Sequence, residues 1–404
     1  MSKANTVRAG SAAVWLGPPL DAAELRRIER HLHLHCHKWD TQIGDTSVLS
    51  EQAVIVTGTE WDWLCRTAEA LAAETLALES CVVDSPRLQS LLGIPEELRS
   101  LLDSRGGTRT MRFDFHPTEE GWRVSEVNSD VPGGWSEGTF LNELYQPFHQ
   151  DLDLPPSPLN AWGGAIEPIA AGGAVALLCA PGFLEDEQVV RTFAAVLGQR
   201  GIPHVTIQSP AAVEWRDGNC FARRSGRAIS CVIRFFQAEW LCSLPPAFGW
   251  KRLLEWRNVV NPAAAAISES KRFPLLFDEA RDCRTWRESM PECRDPRDVA
   301  EGGWDDWVLK ASYSNTGDSV YIRGTMEPGA WRRTVRAALR SPDSWVAQRR
   351  FVTCPVESRR GPLHPCIGVF TVNGRAAGAY CRLSEGQVTS ASAKEAPLFI
   401  DRRL

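Results

Sequence analysis

Residues 174–207 constrain the fold most. An apolar run, AVALLC at 174–179, precedes a helical stretch from about Glu187 to Arg200 that Gly201 closes, and HVTI at 204–207 follows. A third apolar run, ISCVIRFF, occupies 229–236. Strand, helix and strand at this spacing point to a parallel α/β unit. The PPSP stretch at 155–158 marks a boundary ahead of it.

The flanking segments read differently. Residues 21–35 and 60–80 carry helical patterns, and in the second Trp61, Leu64, Ala68, Leu71 and Leu76 approximate one apolar stripe. Residues 110–130 read as two strands around a turn at Pro117 to Gly121. From about 270 onward short strands dominate: 307–311, 319–324, 344–351 and the hairpin 366–383, whose turn is Asn373-Gly374. A helix over 328–340 interrupts them. The expected division is 1–165, 166–260 with the parallel unit, and 261–404; 404 residues suit about two or three domains.

Composition narrows the function. A net charge of −5 gives no footprint for nucleic acid or an anionic membrane. No run of about 18 apolar residues predicts a membrane span. The 12 cysteines are scattered, without CxxC, and the N-terminus lacks the apolar core of a signal peptide, so a cytoplasmic protein with reduced thiols is expected. Six lysines stand against 39 arginines, which makes each lysine worth inspection.

Four constellations could carry chemistry. In Arg112-Phe-Asp114-Phe and Glu126-Val-Asn128 the side-chain period of two puts Arg112 and Asp114 on one face, and Glu126 and Asn128 likewise. A hairpin joining those faces would gather two carboxylates, an amide oxygen and a guanidinium, a hard-oxygen set suited to Mg²⁺. The same pattern also fits a solvated hairpin face, and on either reading the carboxylates are expected to be exposed and dispensable for folding. Lys310 ends a strand ahead of a Ser/Asn/Gly loop whose N–H groups and Ser312, Ser314 and Thr316 hydroxyls could cover phosphate; a surface hairpin with one snorkelling lysine is the alternative. Lys271 follows a helix-like segment. His31, His33, His35 and His37 would share a face only on a strand, where they could hold Zn²⁺. No nucleophile arrangement such as GxSxG occurs.

With these residues in view, the chain resembles the synthetase domain of the glutathionylspermidine synthase family, a circularly permuted ATP-grasp. The family's Arg-x-Asp-Phe followed by Glu-x-Asn-x-Asp-x-Pro is matched by Arg112-Phe-Asp114-Phe and Glu126-Val-Asn128-Ser-Asp130-Val-Pro132. Trp39-Asp40 looks like its early Trp-Asp, and 181–186 with 233–241 like its Rossmann-like pre-grasp region. Asn261-Pro262 with Lys271 matches the first ATP lysine, Lys310 with Gly317 the second and its loop, Gln348 a glutamine near the adenine, and Arg382 a late arginine of the reaction centre. The matches keep family order over roughly 39–400. Departures lie at Asn315-Thr316, at Val131-Pro132-Gly133-Gly134-Trp135, and at Lys394-Glu395, where relatives carry Arg-Phe.

The resemblance implies an α/β (α+β) ATP-grasp fold with a Rossmann-like pre-grasp domain. It implies ATP and Mg²⁺ as cofactors, Asp114, Glu126 and Asn128 as metal ligands, and Lys271, Lys310, Ser312, Ser314, Gly317 and Gln348 around the nucleotide. Arg112 and Arg382 would act at the reaction centre. The implied activity is ATP-dependent joining of a carboxylate to an amine, both small molecules, through an acyl phosphate; the oligomeric state stays open. A phosphotransferase and a degenerate ATP-grasp binding protein are the alternatives. Around Val131 to Trp135 the sequence offers one nearby carboxylate, Glu137, so an amino acid or peptide-like amine is expected rather than a polyamine.

Overall fold

The structure, a computed structural model, describes residues 14–103, 107–279, 282–300, 303–313 and 319–404. Three sheets organise it. The parallel sheet takes its strands in the order His204–Ile207, Ala174–Cys179, Ala228–Phe235, Asn219–Ala222 and Val213–Arg216, with Val259–Val260 also on Ala228–Phe235. Its first three strands are parallel, as expected from their apolar runs; the 213–222 hairpin adds an antiparallel edge. The crossover helix Leu184–Gln199 starts three residues before the expected point, with Glu185, Asp186 and Glu187 in its first turn, where the helix dipole favours carboxylates.

The second sheet, here the site sheet, runs Lys394–Ala396, Arg375–Ser384, Gly361–Val372, Thr110–Thr118 and Gly121–Asn128. Widely separated parts of the chain therefore share one sheet. The expected turn at Pro117 to Gly121 is a hairpin connection, closed by Thr118 Oγ1 donating to the Gly121 carbonyl at 2.6 Å. Against one face lies the long helix Gly58–Val83, capped by Thr57 Oγ1 accepting the Glu60 amide at 3.2 Å. Trp61, Leu64, Ala68, Leu71, Leu78 and Val82 are buried in one core with Phe113, Phe115, Val369 and Cys381; Leu76 lies at its margin. Burying a phenylalanine contributes about 1.5–3 kcal/mol, so Phe113 and Phe115 fix the register that turns Arg112 and Asp114 to the other face.

The third sheet, the lid sheet, is antiparallel in the order Cys293–Arg294, Trp345–Arg349, Trp307–Ala311, Val320–Ile322. Helix Pro328–Arg340 covers it, burying Trp331 and Ala338 against Trp307, Leu309 and Ala347. Buried ionic ties fasten the sheets together. Asp130, just past the site hairpin, accepts Arg234 Nη1 at 3.0 Å and the Ala238 amide at 2.7 Å, joining the hairpin exit to the parallel sheet. Asn261 accepts the Thr110 amide at 2.9 Å and donates to the Ser129 and Asp130 carbonyls.

His31, His33 and His35 lie at the end of helix Ala22–His35 and His37 beyond it, so only His31 and His35 share a face and the four do not converge. The His31 and His35 rings lie 4.7 Å apart, tilted at 44°, and His33 Nε2 bonds Thr41 Oγ1 at 2.6 Å. Among the described residues no group of three or more His, Cys, Asp or Glu could hold a metal by itself. No helix among them is long and apolar enough to cross a membrane.

Candidate active site

The hairpin register pairs Arg112 with Asn128 and Asp114 with Glu126, placing all four on one face. Glycine at 368, opposite Asp114 on the next strand, makes room: a Cβ there would meet Arg112 Cδ at 2.9 Å and Tyr380 Cε1 at 3.1 Å. Arg112 thus lies across the sheet, with Nε on Asp114 Oδ1 at 2.8 Å, Nη2 on Oδ2 at 3.0 Å and Nη1 on the Gly133 carbonyl at 2.7 Å. Its guanidinium sits 5.5 Å from the centre of the Tyr380 ring. Gly134, at φ +93°, packs on that ring where a Cβ would overlap it. Arg382 closes the fork from the opposite side, Nη2 to Asp114 Oδ2 at 2.8 Å.

Asp114 is 1% exposed, which corrects the expectation of an exposed, dispensable carboxylate. Two guanidiniums hold it, so its removal would strand buried positive charge. Glu126 is more open. Lys271 Nζ stands 3.3 Å from its Oε2, and Asn128 Nδ2 lies 3.5 Å from its Oε1. Burial opposes its charge, yet Lys271, Lys310 and the two arginines outweigh that and hold the carboxyl well below the usual range. The partner agrees: burial opposes the Lys271 ammonium, but Glu126 and Glu269 hold it above its ordinary value.

Lys310 differs. Its strand pairing to Val320 and Val346 aims Nζ at the hairpin, where it donates to the Ser125 carbonyl at 3.1 Å. Burial dominates here and lowers its pKa in spite of Glu126. An ammonium whose one hydrogen-bond partner among the described residues is a neutral carbonyl, in a low-dielectric cleft, is poised for an anion. Gln348, two strands from the lid edge, donates to the same carbonyl at 3.4 Å. Ser312 is buried; its hydroxyl donates to the Asp343 carbonyl at 3.2 Å, while its own carbonyl accepts the Lys271 amide at 2.7 Å. It anchors Lys271 from within the chain. Ser314 and Gly317 lie outside the described residues.

Between the site and lid sheets opens a cleft of about 110 Å³, lined by Arg112, Glu126, Asn128, Lys310, Gln348 and Arg382 with Val308, Ile322 and Phe351. A small, nearly filled cavity of about 20 Å³ adjoins it, sharing Ser125, Glu126, Lys310 and Gln348. Phe273, Pro274, Met290 and Val346 make its walls apolar, and Lys271 lies at its edge. The donor set fits Mg²⁺ in part by its own chemistry: Asp114 Oδ1 accepts a single hydrogen bond among the described residues, and Glu126 and the Asn128 amide face the cleft.

Two features were not foreseen from sequence. Tyr380 and Gly368 shape the Arg112 path, and neither belongs to a recognisable motif. Lys394 turns away from the site to the Ser47 carbonyl, whereas Glu395 lies directly opposite Arg382. There it meets Lys38 and Glu137, with Asp40 close by.

Two antiparallel sheets clasping a lysine-lined cleft beside a parallel α/β unit define an ATP-grasp fold, permuted so that the carboxylate hairpin precedes the Lys271 turn and the Lys310 strand. The chain belongs to the family described as Glutathionylspermidine synthase preATP-grasp, whose match covers residues 22–401. Among solved structures, it is similar to a glutathione synthetase-like effector from Globodera pallida in apo form, at TM-score 0.66 and 12% identity over 93% of this chain and 96% of that one. A candidate gamma-glutamylcysteine synthetase from Methylobacillus flagellatus KT matches at TM-score 0.41 and 13% identity, over 80% and 84% of the two chains. Nothing among curated proteins matches the sequence.

Proposed function

We propose that this protein is an ATP-dependent ligase that joins a small-molecule carboxylate to an amine, releasing ADP and phosphate. The observation that carries the reading is the meeting of Arg112, Glu126, Lys310 and Arg382 at one cleft between two sheets, with buried Asp114 holding both arginines and Lys271 beside Glu126. Family membership supports it. The apolar walls beside Lys271 and Gln348 are where we place the adenine, in a cavity that is nearly filled and has to widen to admit it. Lys271 and Lys310 then lie where they can neutralise phosphate oxygens.

Asp114, Glu126 and Asn128 are the residues that would hold Mg²⁺, which when bound supplies charge neutralisation and Lewis-acid polarisation of phosphoryl oxygens. The chain's own contribution is positioning and fixed charge. The substrate carboxylate takes up the γ-phosphoryl group to give an acyl phosphate. Arg112 is held too tightly by Asp114 and Gly133 to move, so it orients the fork. Arg382, whose Nη2 alone is engaged among the described residues, has donors left for the oxyanion that forms as the amine attacks. The C–N bond forms, the C–O bond to phosphate breaks, and the amine's protons pass to phosphate and solvent.

The test is a screen for ADP and phosphate release over amino acids, short peptides and polyamines, with mass spectrometry of products and hydroxylamine in the reaction. A hydroxamate that needs both ATP and the acid is expected. AMP and pyrophosphate in place of ADP and phosphate would overturn the scheme, and ADP release with a phosphorylated product in place of an amide would make the protein a phosphotransferase.

A further inference from the structure

The loop after the first helix drives a lysine into the interior. The Lys38 amide donates to the Leu32 carbonyl at 3.1 Å, and the Trp39 amide to Gln188 Oε1 at 2.9 Å, so the backbone is held on both sides. The side chain, 2% exposed, ends among three carboxylates: Asp40 at 2.5 Å, Glu137 at 2.6 Å and Glu395 at 2.8 Å. These come from three separate parts of the chain. Glu137 begins the helical turn after the segment whose Gly133 carbonyl holds Arg112. Glu395 is the cross-strand partner of Arg382. The cage therefore touches the supports of both reaction-centre arginines.

We propose that Lys38 is a resident ammonium that positions Arg112 and Arg382 through this cage, and that the cage takes up a free alkylammonium once the lysine side chain is cut back. The proposal rests on the ligase reading for what the arginines do, but not for the cage itself. Burial works against the Lys38 charge, yet Glu137, Glu395 and Asp40 outweigh it and hold the ammonium well above its ordinary range. Burial, helped by Glu137 and Asp40, pushes the Glu395 carboxyl up despite Lys38, while Lys38 keeps Glu137 ionised against its own burial. Glu395 Oε2 meets no hydrogen-bond partner among the described residues. Without Lys38 the three carboxylates would repel one another in a desolvated site, and strand 394–396 and the 133–137 turn would lose their common tie. The arrangement also bears on the acceptor. Three carboxylates, not the single one expected from sequence, face this side, but their ammonium is already supplied, so a polyamine finds no vacant cage.

The experiment uses Lys38→Ala with propylammonium, which restores the three carbons and the ammonium that the substitution removes. ADP release by Lys38→Ala is expected to fall roughly 10- to 100-fold in kcat, because reacting groups are misplaced, with the KM for ATP little changed. Propylammonium should restore turnover saturably, and tetramethylammonium, which has no N–H, should not. Calorimetry should show propylammonium binding to Lys38→Ala with a Kd on the order of 1 mM and none to the native protein. If Lys38→Ala does not fold alone, propylammonium in the refolding buffer must raise the folded yield saturably where tetramethylammonium does not. Native turnover in Lys38→Ala, or no propylammonium effect on binding or refolding, overturns the proposal. Propylammonium binding alongside a native protein that turns over no acid and amine would leave the cage standing and defeat the ligase reading.

Discussion

Arg382 Nη2 and Asp114 Oδ2 meet at 2.8 Å although strand 361–372 separates their strands in the sheet. The contact is possible because that strand carries Gly368 opposite Asp114, and Arg112 occupies the space a side chain would fill. Asp114 is thus both a candidate metal ligand and the counter-charge of two buried guanidiniums. Asp114→Ala should lower stability by about 3–5 kcal/mol, the usual result of removing one partner of a buried ion pair. Asp114→Asn, which keeps an acceptor for Arg112, should lose less stability and as much ADP release. Urea denaturation beside an ADP assay measures both; an alanine variant as stable as the native protein would show that the fork is not held as described.

Glu126 separates binding from folding. Its side chain is 23% exposed, and Lys271 keeps Glu269 at 3.5 Å when Glu126 is neutralised. Glu126→Gln should therefore cost less stability than Asp114→Ala and reduce ATP turnover roughly 10²- to 10³-fold, the scale of losing one electrostatic group at the reacting centre. Near-native turnover in this variant would remove Glu126 from the metal set.

The hairpin pairing, the parallel strands and most short strands were legible because alternation and apolar runs are local signals. Arg112, Asp114, Glu126 and Asn128 share a face for the reason the period of two gives. Burial was not legible. Whether Asp114 faces water depends on Arg382 and Gly368, which lie more than 250 residues away in sequence. Lys38 carried a signal in its rarity and in its place before Trp39-Asp40, but its partners Glu137 and Glu395 converge only through the site sheet. The histidine run failed as a metal candidate because residues 31–35 continue the helix that Asp21 caps.

Glu239 offers a pH-dependent test outside the candidate site. Burial, with Asp130 adding repulsion, pushes its carboxyl up to about 8. The unfolded chain releases that proton near the ordinary carboxylate value, so between roughly pH 4.5 and 8 the folded state binds more protons. Stability must then fall as pH rises through this window. Glu239→Gln, neutral throughout, should flatten the slope and gain about 1–3 kcal/mol at pH 9 with no gain near pH 4. Parallel stability–pH curves for the two proteins would contradict the assignment.

Arg272 gives the last prediction, and it concerns how the lid sheet is held to the rest. The residue follows Lys271 and is 0% exposed. Its Nε donates to the Leu91 carbonyl at 2.6 Å, Nη1 to the Pro342 carbonyl at 2.7 Å, and Nη2 to Asp295 Oδ2 at 2.8 Å. Nη1 also reaches the carbonyl of Trp345, where the strand bearing Gln348 begins. One planar fork thus ties a helix of the N-terminal half to two points of the lid. Arg272→Ala takes a donor from each of these carbonyls, although Pro342 keeps the Trp345 amide and Asp295 retains Arg297 at 2.8 Å. The expected loss is about 3–5 kcal/mol, read by urea unfolding. Arg272→Lys should recover little of it, because a compact ammonium cannot reach acceptors spread around a guanidinium plane. In whatever fraction stays folded, ATP should bind more weakly, since Lys271 and Gln348 both lean on this fork. Full stability in Arg272→Lys would mean that charge alone, rather than the fork's geometry, joins the lid to the core.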